Sequence, residues 1–132
     1  MELQDPILVA VYGTLRLGQG NHHVMEVSNG EYLGTTRLPG TIRAGQWAGF
    51  PYLTLDHPGE KGEFTAEVFR IPDGNLTHLD RLEGYPSFYN RSVISTEFGD
   101  AWVYHIEDEH TYDIPAIEGG DWNTFLEQRR SI

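Results

Sequence analysis

Glycine and proline break this chain so often that few long elements fit between them: 15 Gly and 7 Pro are spread along 132 residues. Segments cut that short, rich in β-branched and aromatic residues, read as strands joined by turns. Ile7–Tyr12 is a nearly continuous apolar run, as a strand covered on both faces requires. Further strands are expected near Glu31–Leu38, Thr41–Gln46, Tyr52–Leu55, Phe64–Ile71, Ser92–Phe98 and Ala101–Ile106, with Gly99-Asp100 as a hairpin turn between the last two. Helical spacing predicts only Asn21–Asn29, Leu76–Leu82 and Trp122–Arg129, the last with Trp122, Phe125 and Leu126 on one face and Asp121 as N-cap. Regular βα alternation is missing. The fold class expected is α+β, a curled or barrel-like sheet with a few short helices.

The length suits one domain over residues 1–132, and an apolar fraction of 39% suffices for a core. The chain has no cysteine, hence no disulfide, thiol nucleophile or Cys-based zinc site. Met1–Pro6 is acidic and short of apolar residues, so neither a signal peptide nor a membrane segment is expected, and the location expected is cytoplasmic. A formal net charge of −11 repels phosphate backbones, which argues against a nucleic-acid partner. A monomer is the default for so small and acidic a chain.

One residue breaks the apolar pattern. At about 100° per residue, Leu76, Leu79 and Glu83 share a helix stripe, with Leu82 beside it. A carboxylate therefore stands where an apolar residue belongs, at a helix C-terminus just before Gly84. The helix dipole disfavours an anion there, and partial burial pushes its pKa upward. Such a group is a candidate acid/base. The alternative is a helix that ends one turn earlier and leaves Glu83 in water.

The first strand runs into Tyr12-Gly13-Thr14-Leu15-Arg16-Leu17-Gly18-Gln19-Gly20-Asn21. A turn of this kind at a sheet end offers unpaired N–H groups to an anion. Gly13 and Gly18 have P-loop spacing, but Gln19 and Gly20 replace the required Lys and Ser/Thr, and no third Gly completes a dinucleotide fingerprint. A carboxylate is then a reasonable ligand. The alternative is a turn that needs glycine only for its backbone angles.

Other groups carry less. His22, His23, His57, His78, His105 and His110 show no metal-binding spacing and read as surface or turn residues. No serine lies in a G-x-S-x-G turn, and Glu107-Asp108-Glu109 reads as a solvated loop. Tyr89 and Arg91 follow closely on Glu83; Arg91 either pairs with a buried carboxylate or does nothing important.

Taken together, Tyr12-Gly13-Thr14-Leu15-Arg16-x-Gly18-x-x-Asn21 and Leu79-Asp80-x-Leu82-Glu83-Gly84-Tyr85-Pro86-x-x-Tyr89-x-Arg91 resemble the two signatures of the γ-glutamylcyclotransferase-like proteins. Trp102-Val103-Tyr104 and Gly120-Asp121-Trp122 also fit, in the expected order, and the length is similar to that of the short γ-glutamylamine cyclotransferases. The resemblance implies a small, mostly antiparallel β-barrel flanked by short helices. It implies that Tyr12, Gly13, Thr14 and Leu15, with Asn21 and Tyr89, hold a small-molecule γ-glutamyl substrate, and that Glu83 is the catalytic acid/base with Arg91 in support. It implies release of 5-oxoproline with no cofactor and no metal. Gly45–Pro51 and Glu107–Ile117, where a leaving group would be selected, carry no readable signature. A non-catalytic carboxylate-binding protein, or an enzyme for another acyl-amide conjugate, is the competing expectation.

Overall fold

A strand that is apolar along its whole length has to be covered on both faces, and β1 (Ile7–Val11) is the middle strand of the main sheet. The computed structural model describes residues 6–44, 50–55, 62–106, 111 and 113–130. In them β1 is followed by α1 (His22–Val27), β2 (Glu31–Pro39), β3 (Thr41–Ala44), β4 (Pro51–Thr54), β5 (Glu63–Ile71), α2 (Thr77–Glu83), β6 (Asn90–Thr96), β7 (Gly99–His105), a 3₁₀ turn (Glu118–Gly120) and α3 (Trp122–Arg130). The main sheet has the order β2-β5-β1-β7-β6, and β3 pairs with β4 in a separate hairpin. The β1–β7 pairing is parallel and the other pairings are antiparallel, so the sheet is mixed.

Each face of the sheet has its own core. On one side Val9, Val11, Phe69, Ile71 and Tyr104 pack against Met25 of α1 and Leu76 and Leu79 beside and within α2. On the other, Ala10, Phe64, Ala66, Val68 and Val103 pack against Ile42 and Leu53 of the hairpin and Trp122 of α3. Fully burying a side chain such as Leu79 or Phe64 is worth roughly 1.5–3 kcal/mol. The alternation of strand residues between these clusters is the period-two pleat.

The barrel expectation is corrected to an open sheet among the described residues. β2 and β6 are edge strands, and their exposed residues, including Tyr32 and Val93, leave both edges to solvent. The hairpin expected at Gly99-Asp100 turns two residues earlier, at Glu97-Phe98. Gly99 opens β7 opposite Thr96 and takes φ 123°, a conformation glycine tolerates. Gln46, placed in the third expected strand, lies outside the described residues, as do His57 and the Glu107–His110 run. The N-cap expectation holds: the Thr124 N–H donates to Asp121 Oδ1 at 3.1 Å. No helix among the described residues is long and apolar enough to cross a membrane.

Candidate active site

Because β1 and β7 run parallel, their C-terminal ends emerge side by side, and a cavity of about 420 Å³ opens there. Its floor is the turn that follows β1. Gly13 is required by proximity: a Cβ on it would lie 2.7 Å from the Pro51 ring of β4. The turn is braced from within. The Asn21 N–H donates to the Thr14 carbonyl (2.9 Å), the Asn21 amide to Thr14 Oγ1 (3.0 Å), and the Arg16 N–H to the Gly13 carbonyl (3.1 Å). The N–H groups of Gly13, Thr14 and Leu15 have no acceptor among the described residues, and all three residues line the cavity.

The turn is also braced from behind by an ion cluster that the sequence reading missed. Arg16, buried under Leu15, donates from Nε to Glu67 of β5 at 2.7 Å and from Nη1 to Asp121 at 3.1 Å. The Leu17 N–H donates to the other Glu67 oxygen at 2.7 Å. Burial opposes ionisation of Asp121, but the Thr124 N–H and the Arg16 guanidinium hold its carboxyl below the usual value. His22 likewise turns inward, its Nδ1 2.9 Å from the Leu15 carbonyl, and His105 is buried beside Ser92, so neither is the plain surface histidine expected.

α2 supplies the opposite wall. Leu76 and Leu79 seat the helix on the core, and Gly84 closes it in the left-handed conformation at φ 67°. Those two contacts turn Glu83 toward the cavity, half-buried, between Leu82 and Gly84. Its carboxylate has no hydrogen-bond or ion-pair partner among the described residues, and burial raises its pKa from 4.5 to about 7. The helix continues through Glu83, which excludes the reading that left it in water.

Three phenols surround this carboxyl. Tyr12 donates to the Tyr104 carbonyl (2.7 Å) and Tyr89 to the Pro51 carbonyl (2.7 Å). Burial and the neighbouring Glu83 charge push the Tyr12 and Tyr89 pKa values up, so both remain neutral donors. Tyr104 donates to Asp80 at 2.6 Å. Arg91 meets that same Asp80 at 3.0 and 3.3 Å while lying over the Tyr85 and Trp102 rings. Its carboxylate partner is thus Asp80, not Glu83, and it anchors α2 from outside the cavity.

Tyr12, Gly13, Thr14, Leu15, Asn21, Glu83 and Tyr89 therefore line one cavity, and Arg91 does not. Sequence reasoning missed Phe50, Pro51, Leu82, Phe88 and Tyr104, which also line it. Phe50 and Pro51 came from a segment without a motif; the only available signal was aromatic density on both sides of Glu83. Gly45–Gly49 of that segment lie outside the described residues. Among the described residues no group of three or more His, Asp or Glu is arranged to hold a metal ion.

Residues 9–124 match the family described as Gamma-glutamyl cyclotransferase, AIG2-like. The chain belongs to this family. It is 33% identical over 118 residues to the gamma-glutamylcyclotransferase family protein YtfP of Escherichia coli (strain K12), covering 86% of this chain and 94% of that one. It is 31% identical over 121 residues to gamma-glutamylaminecyclotransferase C of Danio rerio, covering 86% and 78%. The solution NMR structure of Escherichia coli ytfP superposes with a TM-score of 0.64 at 31% identity over 88% of this chain and 96% of that one. The crystal structure of a mouse AIG2-like protein gives a TM-score of 0.72 at 24% identity over 87% and 88%, a likeness of fold. Within the AIG2-like family frame, the cavity between the glycine-rich turn and α2 is the candidate active site.

Proposed function

We propose that this AIG2-like chain releases 5-oxoproline from a γ-glutamyl amine or γ-glutamyl amino acid, with Glu83 as general acid/base. The observation that carries the reading is the pairing of a carboxyl with pKa near 7 and three N–H groups on the facing turn, none of which has a partner among the described residues. The Gly13, Thr14 and Leu15 N–H groups suit the α-carboxylate of the γ-glutamyl unit. Tyr12 and Tyr89 add neutral phenols that flank it, and Asn21 holds Thr14 in place.

The chemistry asks for little else. The substrate's own α-amine attacks its γ-carbonyl carbon and closes a five-membered lactam. Glu83 takes the proton that the amine gives up. It returns that proton to the departing nitrogen as the old C–N bond breaks. Products are 5-oxoproline and a free amine, and no water is consumed. Folding the substrate into a near-attack shape supplies most of the advantage, because well-oriented intramolecular attack reaches effective molarities of about 10⁵ M or more. A carboxyl whose pKa lies near working pH serves both proton transfers.

The test is 5-oxoproline release from a panel of γ-glutamyl amines, γ-glutamyl amino acids and glutathione. Attack requires the carboxylate form, so kcat/KM should rise with pH up to about 7 and then level. A carboxylate-binding protein without catalysis would bind 5-oxoproline and turn over none of the panel.

A further inference from the structure

The cavity has two chemically different ends. Its inner end carries the unpartnered N–H groups of the turn, Glu83 and the phenols. Its mouth is apolar: Phe50, Leu82 and Phe88 line it and keep 37%, 39% and 45% of their surface exposed. The rings are held in place by one another. Phe88 packs edge-on against Tyr89 (centroids 4.9 Å apart), and Phe50 against Tyr52 (5.5 Å) and Phe88 (6.2 Å).

Charge is as informative as shape. Among the described residues lining the cavity, Glu83 is the single acidic or basic side chain. A carboxylate on the leaving group would therefore find no cation among the described residues of the mouth. Arg16 is engaged with Glu67 and Asp121, Arg91 is engaged with Asp80, and Arg81, next to Leu82 in the chain, is exposed and does not line the cavity. An ammonium on the leaving group would lose its water against ring edges already committed to each other. Its sole carboxylate neighbour would be the group needed for proton transfer.

We propose that this cavity selects γ-glutamyl conjugates of neutral, apolar amines, with Phe50, Leu82 and Phe88 receiving the amine's hydrocarbon part. The proposal rests on the cyclisation reading above and adds the identity of the leaving group. In the reaction the γ-carbonyl carbon sits between the turn and Glu83, and the bond to the leaving nitrogen points out toward the rings. Apolar area removed from water at the mouth is then gained in both ground and transition states, which raises kcat/KM mainly through KM.

The experiment compares the γ-glutamyl conjugates of methylamine, benzylamine, cadaverine and glycine. It reads 5-oxoproline release by the native chain and, separately, calorimetric binding to the Glu83→Gln variant. The benzylamine conjugate should exceed the methylamine conjugate by about tenfold or more in kcat/KM, and the charged conjugates by a wider margin. Phe88→Ala and Phe50→Ala should each bring the benzyl-to-methyl ratio down toward one. If Phe88→Ala fails to fold, Phe50→Ala and Phe88→Leu carry the comparison. A cadaverine or glycine conjugate that matches the benzylamine conjugate overturns the proposal, as does a ratio that ignores the rim variants. If no conjugate yields 5-oxoproline, the cyclisation reading falls. The binding arm then decides the rim alone: a benzyl preference that depends on Phe50 or Phe88 supports it, and equal binding overturns it.

Discussion

Two buried or half-buried glutamates sit on the α2-facing side of the sheet and are treated in opposite ways. Glu67 lies in β5 with both oxygens occupied, one by Arg16 and one by the Leu17 N–H. Glu83 lies at the end of α2 with neither oxygen occupied among the described residues. Glu67 faces a cation and accepts a donated hydrogen bond, and no such partner faces the Glu83 carboxyl among the described residues. The lesson is that burial alone does not make a carboxyl chemical. Burial without a partner does, because the proton can then come and go near neutral pH. Glu67 spends its charge holding the turn that faces Glu83, so the two residues serve one cavity from opposite sides.

The comparison breaks first at activity. Glu83→Gln should lower 5-oxoproline release by about 10⁴-fold while near-ultraviolet circular dichroism stays native. A variant within tenfold of the native rate would remove Glu83 from the mechanism. Glu67→Ala should act on the fold instead. It leaves the buried Arg16 guanidinium with Asp121 alone and should cost about 3 kcal/mol in urea titrations. A double change of Arg16 to Met and Glu67 to Leu should recover much of that loss, since the buried charges go together and the part-exposed Asp121 keeps the Thr124 N–H. Gly13→Ala sharpens the turn's side of the comparison. Its Cβ meets the Pro51 ring, so about 1–3 kcal/mol of overpacking is expected together with a raised KM. An unchanged KM would make the turn purely structural.

A smaller effect concerns pH and runs against the usual carboxylate trend. In the folded chain Glu83 keeps its proton up to about pH 7, whereas unfolded it loses it near its ordinary 4.5. The unfolded state therefore binds fewer protons across that window, and stability falls as pH rises through it. Glu83→Gln removes the penalty and should stabilise the chain at pH 8 relative to pH 4 by about 2 kcal/mol, the ideal linkage value discounted for partial exposure. A difference that does not change with pH would mean that Glu83 is solvated. The smallest effect belongs to Tyr104→Phe. It removes one hydrogen bond to Asp80 and leaves the Arg91 pair intact, for a loss of about 1 kcal/mol.

Much of this was legible beforehand, and the reasons are local. The apolar run at Ile7–Val11 announces a strand covered on both faces, and it became the central strand. Leu76, Leu79 and Glu83 announce a helix with one misfit, and α2 extends through that misfit. The strand expected at Phe64–Ile71 is buried on both faces, Thr65 and Glu67 included, because β1 and β2 flank it and both core layers cover it. Of the two readings of Arg91, the structure takes the carboxylate pair, and the partner is the part-buried Asp80. Phe50 and Pro51 had no motif at all; they belong to the cavity only because β4 brings Pro51 against Gly13.

What the sequence determined by itself was periodicity and punctuation: where strands and helices form, where glycine must stand, and that one glutamate interrupts an apolar stripe. Which glutamate stays unpaired was decided by the tertiary structure alone. The cation that satisfies Glu67 comes from 51 residues away in the chain. A charge pair across that distance leaves no local pattern. Its absence at Glu83 is a property of the assembled cavity, where packing seats the carboxyl but supplies it with no partner among the described residues.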